Sequence, residues 1–198
     1  MRDNYSRRTL CCVALLICSA TVARAQEEAR YKELPNFHRV NATLYRGAQP
    51  GDGGFKILVS LKIRAVINLR GTGEHSERES AEAKAAGLLY FSVPLEDFDR
   101  PTDEQVEQVL GLINAPENQP AFVHCRRGAD RTGIVIACYR ISHDRWTSET
   151  AKAEAKRYGM GFWQVKMKDY IRDYYRRRSE RERKPVTMRL EQKRFRVV

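Results

Sequence analysis

The feature that most limits what this chain can fold into is an eleven-residue segment, Val123-His124-Cys125-Arg126-Arg127-Gly128-Ala129-Asp130-Arg131-Thr132-Gly133. It separates an apolar run of strand length at residues 121–124 from a second apolar run at residues 134–139. The second run is apolar almost all round, as a buried central helix is. A buried strand therefore stops at a cysteine, a short loop follows, and an arginine opens a helix. Gly128 permits backbone dihedrals in the loop that other residues resist.

The rest of the chain repeats that alternation. Residues 44–46 read as a short strand running into the turn Gly47-Ala48-Gln49-Pro50-Gly51. Phe55, Leu58 and Val59 have helical spacing, and residues 65–69 form a short buried strand. Ser76 is expected to cap a polar helix that Gly87 ends, and residues 88–93 form the next strand. Thr102 and Gln105 make a capping box for a helix reaching about residue 114. Thr147 caps another helix ending at Gly159, and a last one spans residues 162–178. Strands alternating with helices predict an α/β fold with a mostly parallel central sheet flanked by helices.

Each residue of the central segment has a physical task if its ligand is a phosphate. A loop of about six residues can curl until successive N–H groups of residues 126–130 (Arg126, Arg127, Gly128, Ala129, Asp130) point at one anion. The positive end of the following helix adds to that field. Arg131 can grip two phosphate oxygens with its planar fork and stays charged at any working pH. Free thiols have a pKa of about 8.5, and helix N-termini and nearby cations lower it to ~3.5–7.5. Cys125 is thereby expected to be a nucleophile placed for in-line attack on phosphorus. A lone cysteine near an arginine is ordinarily a small buried hydrophobe. Six specified residues at fixed offsets (His124, Cys125, Gly128, Arg131, Thr132, Gly133) are another matter, since average usage gives that pattern about once in 10^8 start positions.

These residues resemble the signature of the cysteine-dependent protein tyrosine phosphatase superfamily, Cys-x5-Arg followed by Ser or Thr. Within it the chain is similar to the bacterial dual-specificity phosphatase-like group. Leu44-Tyr45-Arg46-Gly47-Ala48-Gln49-Pro50, Val66-Ile67-Asn68-Leu69-Arg70 and Val93-Pro94-Leu95-Glu96-Asp97 look like that group's upstream landmarks. The resemblance implies a dual-specificity-phosphatase-like fold, a phosphocysteine intermediate, and no metal or other cofactor. By the same carry-over His124 tunes the cysteine and Thr132 assists breakdown of the intermediate. Substrates implied are a phosphorylated protein, carrying phosphotyrosine or phosphoserine, or an inositol phosphate or phosphoinositide.

An alkoxide or phenoxide leaves badly without a proton, so a general acid is required. In the family it is an aspartate on a loop some thirty residues before the cysteine. Asp97 and Asp99 lie 28 and 26 residues upstream, on the loop between Val93 and Thr102. Asp97 is preferred because Pro-x-x-Asp with a proline four residues later looks like the family's acid loop. Arg126 and Arg127 either bind additional phosphates or face water. Asp130 is an unexpected acid in an anion-binding loop; it is expected to pair with a neighbouring arginine, and it argues mildly against the most highly charged substrates. Arg46 and Arg70 read as structural pairing residues.

Both ends of the chain call for separate treatment. Arg2, Arg7 and Arg8, an apolar core at residues 10–20 and Ala23-Arg24-Ala25 make residues 1–25 a signal peptide, with Gln26 as the mature N-terminus. Ser6-Arg7-Arg8-Thr9-Leu10 also resembles a bacterial twin-arginine signal, so the protein is expected to be exported, periplasmic or secreted. Cleavage removes Cys11, Cys12 and Cys18, leaving Cys125 and Cys138, which is no disulfide framework. A free thiol kept in an exported protein needs a chemical reason. Of the net charge of +11, residues 1–25 carry +3 and residues 172–198 carry +7, so the body between is nearly neutral. The expected division is a catalytic domain at 26–172 and a basic tail at 173–198. That tail suits an anionic membrane or polyanion, or is simply a solvated helix end; no specific nucleic-acid partner is expected. Two other functions fit a Cys-containing loop. One is a pseudophosphatase that holds phosphorylated partners without turnover. The other is a different thiol enzyme, such as a rhodanese-like sulfurtransferase or an arsenate reductase.

Overall fold

The computed structural model describes residues 31–183. The expected leader and its cleavage site before Gln26, and the part of the basic tail beyond residue 183, lie outside the described residues. Five strands form one sheet: β1 (His38–Arg39), β2 (Leu44–Ala48), β3 (Ala65–Asn68), β4 (Leu89–Ser92) and β5 (Ala121–Cys125). Their order is β1-β2-β5-β3-β4. β2, β5, β3 and β4 pair in parallel, and β1 adds an antiparallel edge to β2. The mostly parallel sheet expected from the sequence is thus present. The two residues of β1 are too few to leave an alternation pattern.

β5 lies at the middle of the sheet, and all five of its residues are buried. That is why its sequence is a continuous apolar run instead of an alternating one. Val66 and Phe122 point to one face, where they meet Phe55 and Leu58 of α1 (Gly54–Ser60) and Ala83 of α2 (Glu74–Ala85). Ile67 and Val123, one residue on, point to the other. There they pack against α3 (Asp103–Asn114), α4 (Asp130–His143), α5 (Ser148–Arg157) and α6 (Val165–Arg183). Helices therefore cover both faces, and α4 is enclosed between the sheet, α5 and α6, with residues 130–139 all buried.

Several expected boundaries are met and some move. Thr102 and Gln105 form the capping box at the start of α3. The Thr147 side chain accepts from the N–H of Thr150 at the start of α5. Ser76 does not cap α2: the helix begins three residues earlier, after Gly73 at φ 129°, a conformation open to glycine. The Ser76 hydroxyl instead faces Asn68 and the Tyr90 hydroxyl. α6 starts at Val165, three residues later than expected, leaving Phe162 and Trp163 exposed on the turn before it. It then runs unbroken past residue 173, where the tail was expected to begin. Tyr174 is buried, and the Arg177 guanidinium reaches Asp103 Oδ1 at 2.6 Å.

Candidate active site

The parallel sheet delivers β5 and the loop after it to the N-terminus of α4. Cys125 ends β5 and is almost wholly buried, and residues 126–129 form the loop. A concave cradle of N–H groups requires the carbonyls to point outward, where a buried one must find a donor. Three of the four in this loop have one. Asn36 Nδ2 donates to Arg127 O at 3.0 Å and Arg46 Nη2 to Gly128 O at 2.7 Å. The N–H of Gly133 donates to Ala129 O at 2.8 Å. The N–H groups of residues 126–129 have no backbone acceptor among the described residues. Gly128 has φ 67°, and a Cβ there would lie 2.3 Å from the carbonyl carbon of Gly47. The curl of the loop against β2 is therefore closed to every other residue.

Arg131 lies on the first turn of α4, is mostly buried, and has its guanidinium turned toward the acid loop. Nη2 is 2.6 Å from Asp97 Oδ1, and Nη1 donates to Leu95 O at 3.4 Å. The Asp97 side chain is otherwise largely solvent-exposed. Its carbonyl accepts from Gln164 Nε2 at 3.0 Å, which ties the acid loop to the turn before α6. Asp99 faces elsewhere. It accepts from the N–H of Arg100 at 2.8 Å and pairs with Lys166 at 3.2 Å. Those two partners, the Arg100 N–H first, hold its carboxyl below the usual range.

Asp130 turns its side chain away from the cradle. Oδ1 accepts from the N–H of Gly161 at 2.9 Å, and Oδ2 pairs with Arg127. The carboxylate that was unexpected in an anion loop thus buckles the loop to the neighbouring turn and offsets the Arg127 charge. Arg126 is exposed. Arg70 reaches Gln49, while its own N–H is held by Asn68 Oδ1 at 2.8 Å.

His124 precedes the cysteine on the strand, so its ring lies on the opposite face of the sheet. It is fully buried, stacks on Phe122 with centroids 5.5 Å apart, and has Nε2 2.6 Å from Glu79 Oε1 of α2. The contact is close but not aligned as a hydrogen bond. Thr132 is also fully buried, with no hydrogen-bond partner for Oγ1 among the described residues. Cys138 is a free, fully buried thiol on α4, and burial pushes its pKa well up. Four contributors escaped the sequence reading: Asn36, Glu79 and Gln164 altogether, and Arg46 in its role. The only local signal was the oddity of an arginine at an inward position of a strand.

Exposed apolar side chains lie on the two segments that reach the site, the loop bearing Asp97 and the turn that meets Asp97 and Asp130. Phe98 on the acid loop is 72% exposed, and Phe162 and Trp163 on the turn before α6 are 83% and 50% exposed. The last two rings meet edge to face at 5.0 Å.

Residues 20–173 match the family described as "PTP-NADK: DSP-PTPase phosphatase fused to NAD+ Kinase". The dual specificity protein phosphatase TpbA of Pseudomonas aeruginosa strain UCBPP-PA14 is 30% identical over 127 residues, which are 64% of this chain and 56% of that protein. The inositol diphosphatase DSP4 of Arabidopsis thaliana is 28% identical, over 62% of this chain and 63% of its own length. The chain thus spans little more than half the length of these curated relatives. A cysteine-to-serine form of P. aeruginosa TpbA, solved in complex with pTyr, superposes with a TM-score of 0.56 and 26% identity, covering 71% of this chain and 90% of that one.

Proposed function

The chain belongs to the cysteine-dependent, dual-specificity phosphatase-like family, and from that membership we propose that it hydrolyses phosphate monoesters through a phosphocysteine intermediate on Cys125. One observation carries the reading: Cys125 and Arg131 stand at the two ends of a loop whose Arg127 and Gly128 carbonyls are held by the side chains of Asn36 and Arg46. The Arg131 guanidinium is also in contact with Asp97.

The chemistry follows from those positions. The loop amides and Arg131 bind the phosphate oxygens. Cys125 Sγ then attacks phosphorus in line, the bond to the ester oxygen breaks, and Asp97 gives that oxygen its proton. In the second half the Asp97 carboxylate takes a proton from water as the water oxygen attacks phosphorus. The P–S bond breaks, releasing inorganic phosphate and the thiolate, with the Thr132 hydroxyl assisting. Arg131 must exchange Asp97 for the phosphate on binding, which leaves the carboxyl group at the mouth beside the leaving oxygen. Asp99 suits the role less, because its carboxylate is engaged by the Arg100 N–H and Lys166 while Asp97 is the one in contact with Arg131.

Two observations favour an aryl phosphate such as phosphotyrosine in a protein over a densely charged inositol phosphate. Phe98, Phe162 and Trp163 offer apolar surface on the two segments that reach the site, and Asp130 offsets one of the two loop arginines. The inositol phosphate or phosphoinositide reading keeps the support of exposed Arg126 and of the inositol diphosphatases among the relatives. Comparing kcat/KM for a phosphotyrosine peptide with that for inositol polyphosphates separates them. Turnover of an aryl phosphate without added metal, lost in Cys125→Ser while phosphate binding is kept, tests the reaction itself. A wild-type protein that binds phosphate without turnover would be the pseudophosphatase, and one that transfers sulfur would be the sulfurtransferase. Export is proposed alongside, with the mature protein starting at Gln26; an N-terminus at Met1 in the protein recovered from cells would overturn it.

A further inference from the structure

We propose that Arg46 is a positioning residue of the phosphate loop whose buried positive charge serves the bound phosphate, an assignment that rests on the phosphatase reading above. In the β2–β5 register Arg46 pairs with Val123 and Ala48 with Cys125. Paired residues of a sheet share a face, so Arg46 lies on the face from which Cys125 projects, directly behind the loop. It is 1% exposed, the largest fully buried side chain among the described residues. Nη2 holds Gly128 O, and Cζ lies 4.4 Å above the centre of the Tyr158 ring.

The rest of the guanidinium has nothing to hold. Nε and Nη1 have no hydrogen-bond acceptor, and no carboxylate pairs with Arg46 among the described residues. Arg140, by contrast, is held by both Asp144 and Glu154. A buried cation without a counter-ion is costly, and folds ordinarily pair it or dispense with it. The cost is visible in its protonation: burial lowers the Arg46 guanidinium to about 10, against the opposing pull of Glu154, Tyr158 and Cys125.

Holding a carbonyl does not explain this arrangement, because a neutral side chain does that job next door. Asn36 holds Arg127 O with its amide. What Arg46 adds beyond a donor is charge, and the missing counter-charge arrives with function. The Cys125 thiolate and the phosphate dianion in the loop are the anions that would offset it. Coupling of this kind is reciprocal, so an anion that stabilises the buried cation is itself bound more tightly.

The test uses the full chain, inorganic phosphate as the probe, and an aryl phosphate as substrate. Arg46→Met removes the charge and keeps most of the volume. It is expected to weaken phosphate binding about 10–100-fold, the scale of a hydrogen-bonded buried charge, and to lower kcat/KM in step. Arg46→Lys restores the charge without the fork, and is expected to recover phosphate affinity to within about 10-fold of wild type. Its kcat should stay low, because Gly128 is no longer held. A folded Arg46→Met that binds phosphate within twofold of wild type overturns the proposal, as does Arg46→Lys binding no better than Arg46→Met. Should Arg46→Met fail to fold, Arg46→Lys decides: phosphate affinity more than 10-fold weaker than wild type despite the retained charge overturns it. A wild-type protein that binds phosphate in this Arg46-dependent way yet turns over no ester would defeat the phosphatase reading alone. Full activity in Arg46→Met would defeat this inference alone.

Discussion

Arg131 Nη2 and Asp97 Oδ1 are 2.6 Å apart, so the residue that would clamp the phosphate is already in contact with the residue that would protonate the leaving group. Substrate and Asp97 therefore compete for one guanidinium. A carboxylate that is mostly exposed contributes little to such a pair, roughly 1 kcal/mol or less. Asp97→Ala should accordingly tighten inorganic phosphate binding, by up to about 5-fold on that scale. Product inhibition measures it directly, and a weaker inhibition constant in the variant would show that Asp97 does not compete for Arg131.

The two aspartates of the acid loop are separable by leaving group. A general acid matters in proportion to how badly the departing oxygen needs a proton. Asp97→Asn should slow phenyl phosphate ~10^2–10^4-fold and a nitrophenyl ester much less. Asp99→Asn should do neither, because its carboxylate is engaged by the Arg100 N–H and Lys166 and not by Arg131. Equal small losses on both substrates in both variants would mean that protonation comes from water or the substrate.

The loop itself hangs on Gly128. Its φ of 67° and the 2.3 Å separation between a Cβ and the Gly47 carbonyl carbon make alanine doubly unwelcome there. The backbone conformation alone costs an L-residue about 1–2 kcal/mol. The clash then pushes the loop off β2 and breaks the Arg46 bond to Gly128 O. Gly128→Ala should lose turnover at least about 10^2-fold, as small misplacements of catalytic groups do. Its melting temperature should fall by only several degrees. An active Gly128→Ala would mean that the loop works in a different conformation.

What the sequence made legible was whatever has a local signature. The apolar runs at residues 65–69 and 121–124, the Thr102–Gln105 box and the loop from Cys125 to Arg131 each announce themselves within a dozen residues. The fold class followed from their alternation. Asn36, Glu79 and Gln164 did not announce themselves, because each acts on a residue distant in the chain. Asn36 reaches Arg127 across 91 positions, and Gln164 reaches Asp97 across 67. Glu79 sits in a helix of low apolar content, where one more glutamate carries no signal until His124 is found opposite it. Asp130 could be matched in the sequence to a neighbouring arginine, and Arg127 three residues before it is that partner; Gly161, the other, becomes visible only when the chain folds back beside α4. Side chains that organise a site from a distance leave no spacing to read.

The end of the chain tests whether charge or packing sets its role. Within α6, Tyr174 is buried and meets the Ser142 hydroxyl at 2.7 Å, while Arg177 and Tyr170 share Asp103 Oδ1. Helix residues up to this point are therefore packed against the rest of the fold. Residues 184–198 carry five basic side chains and one acidic one. Deleting residues 184–198 should leave aryl phosphate turnover and melting temperature unchanged. Deleting residues 176–198 removes Arg177 from Asp103, and should lower the melting temperature by roughly 2–4 °C for each kcal/mol lost. If the basic end serves as a tether, the shorter deletion should also weaken binding to anionic phospholipid vesicles, and in the full chain that binding should fall as salt screens it. Vesicle binding that survives the deletion and ignores salt would leave the tail without an electrostatic role. Unfolding on loss of residues 184–198 alone would place them in the packed body with the rest of α6.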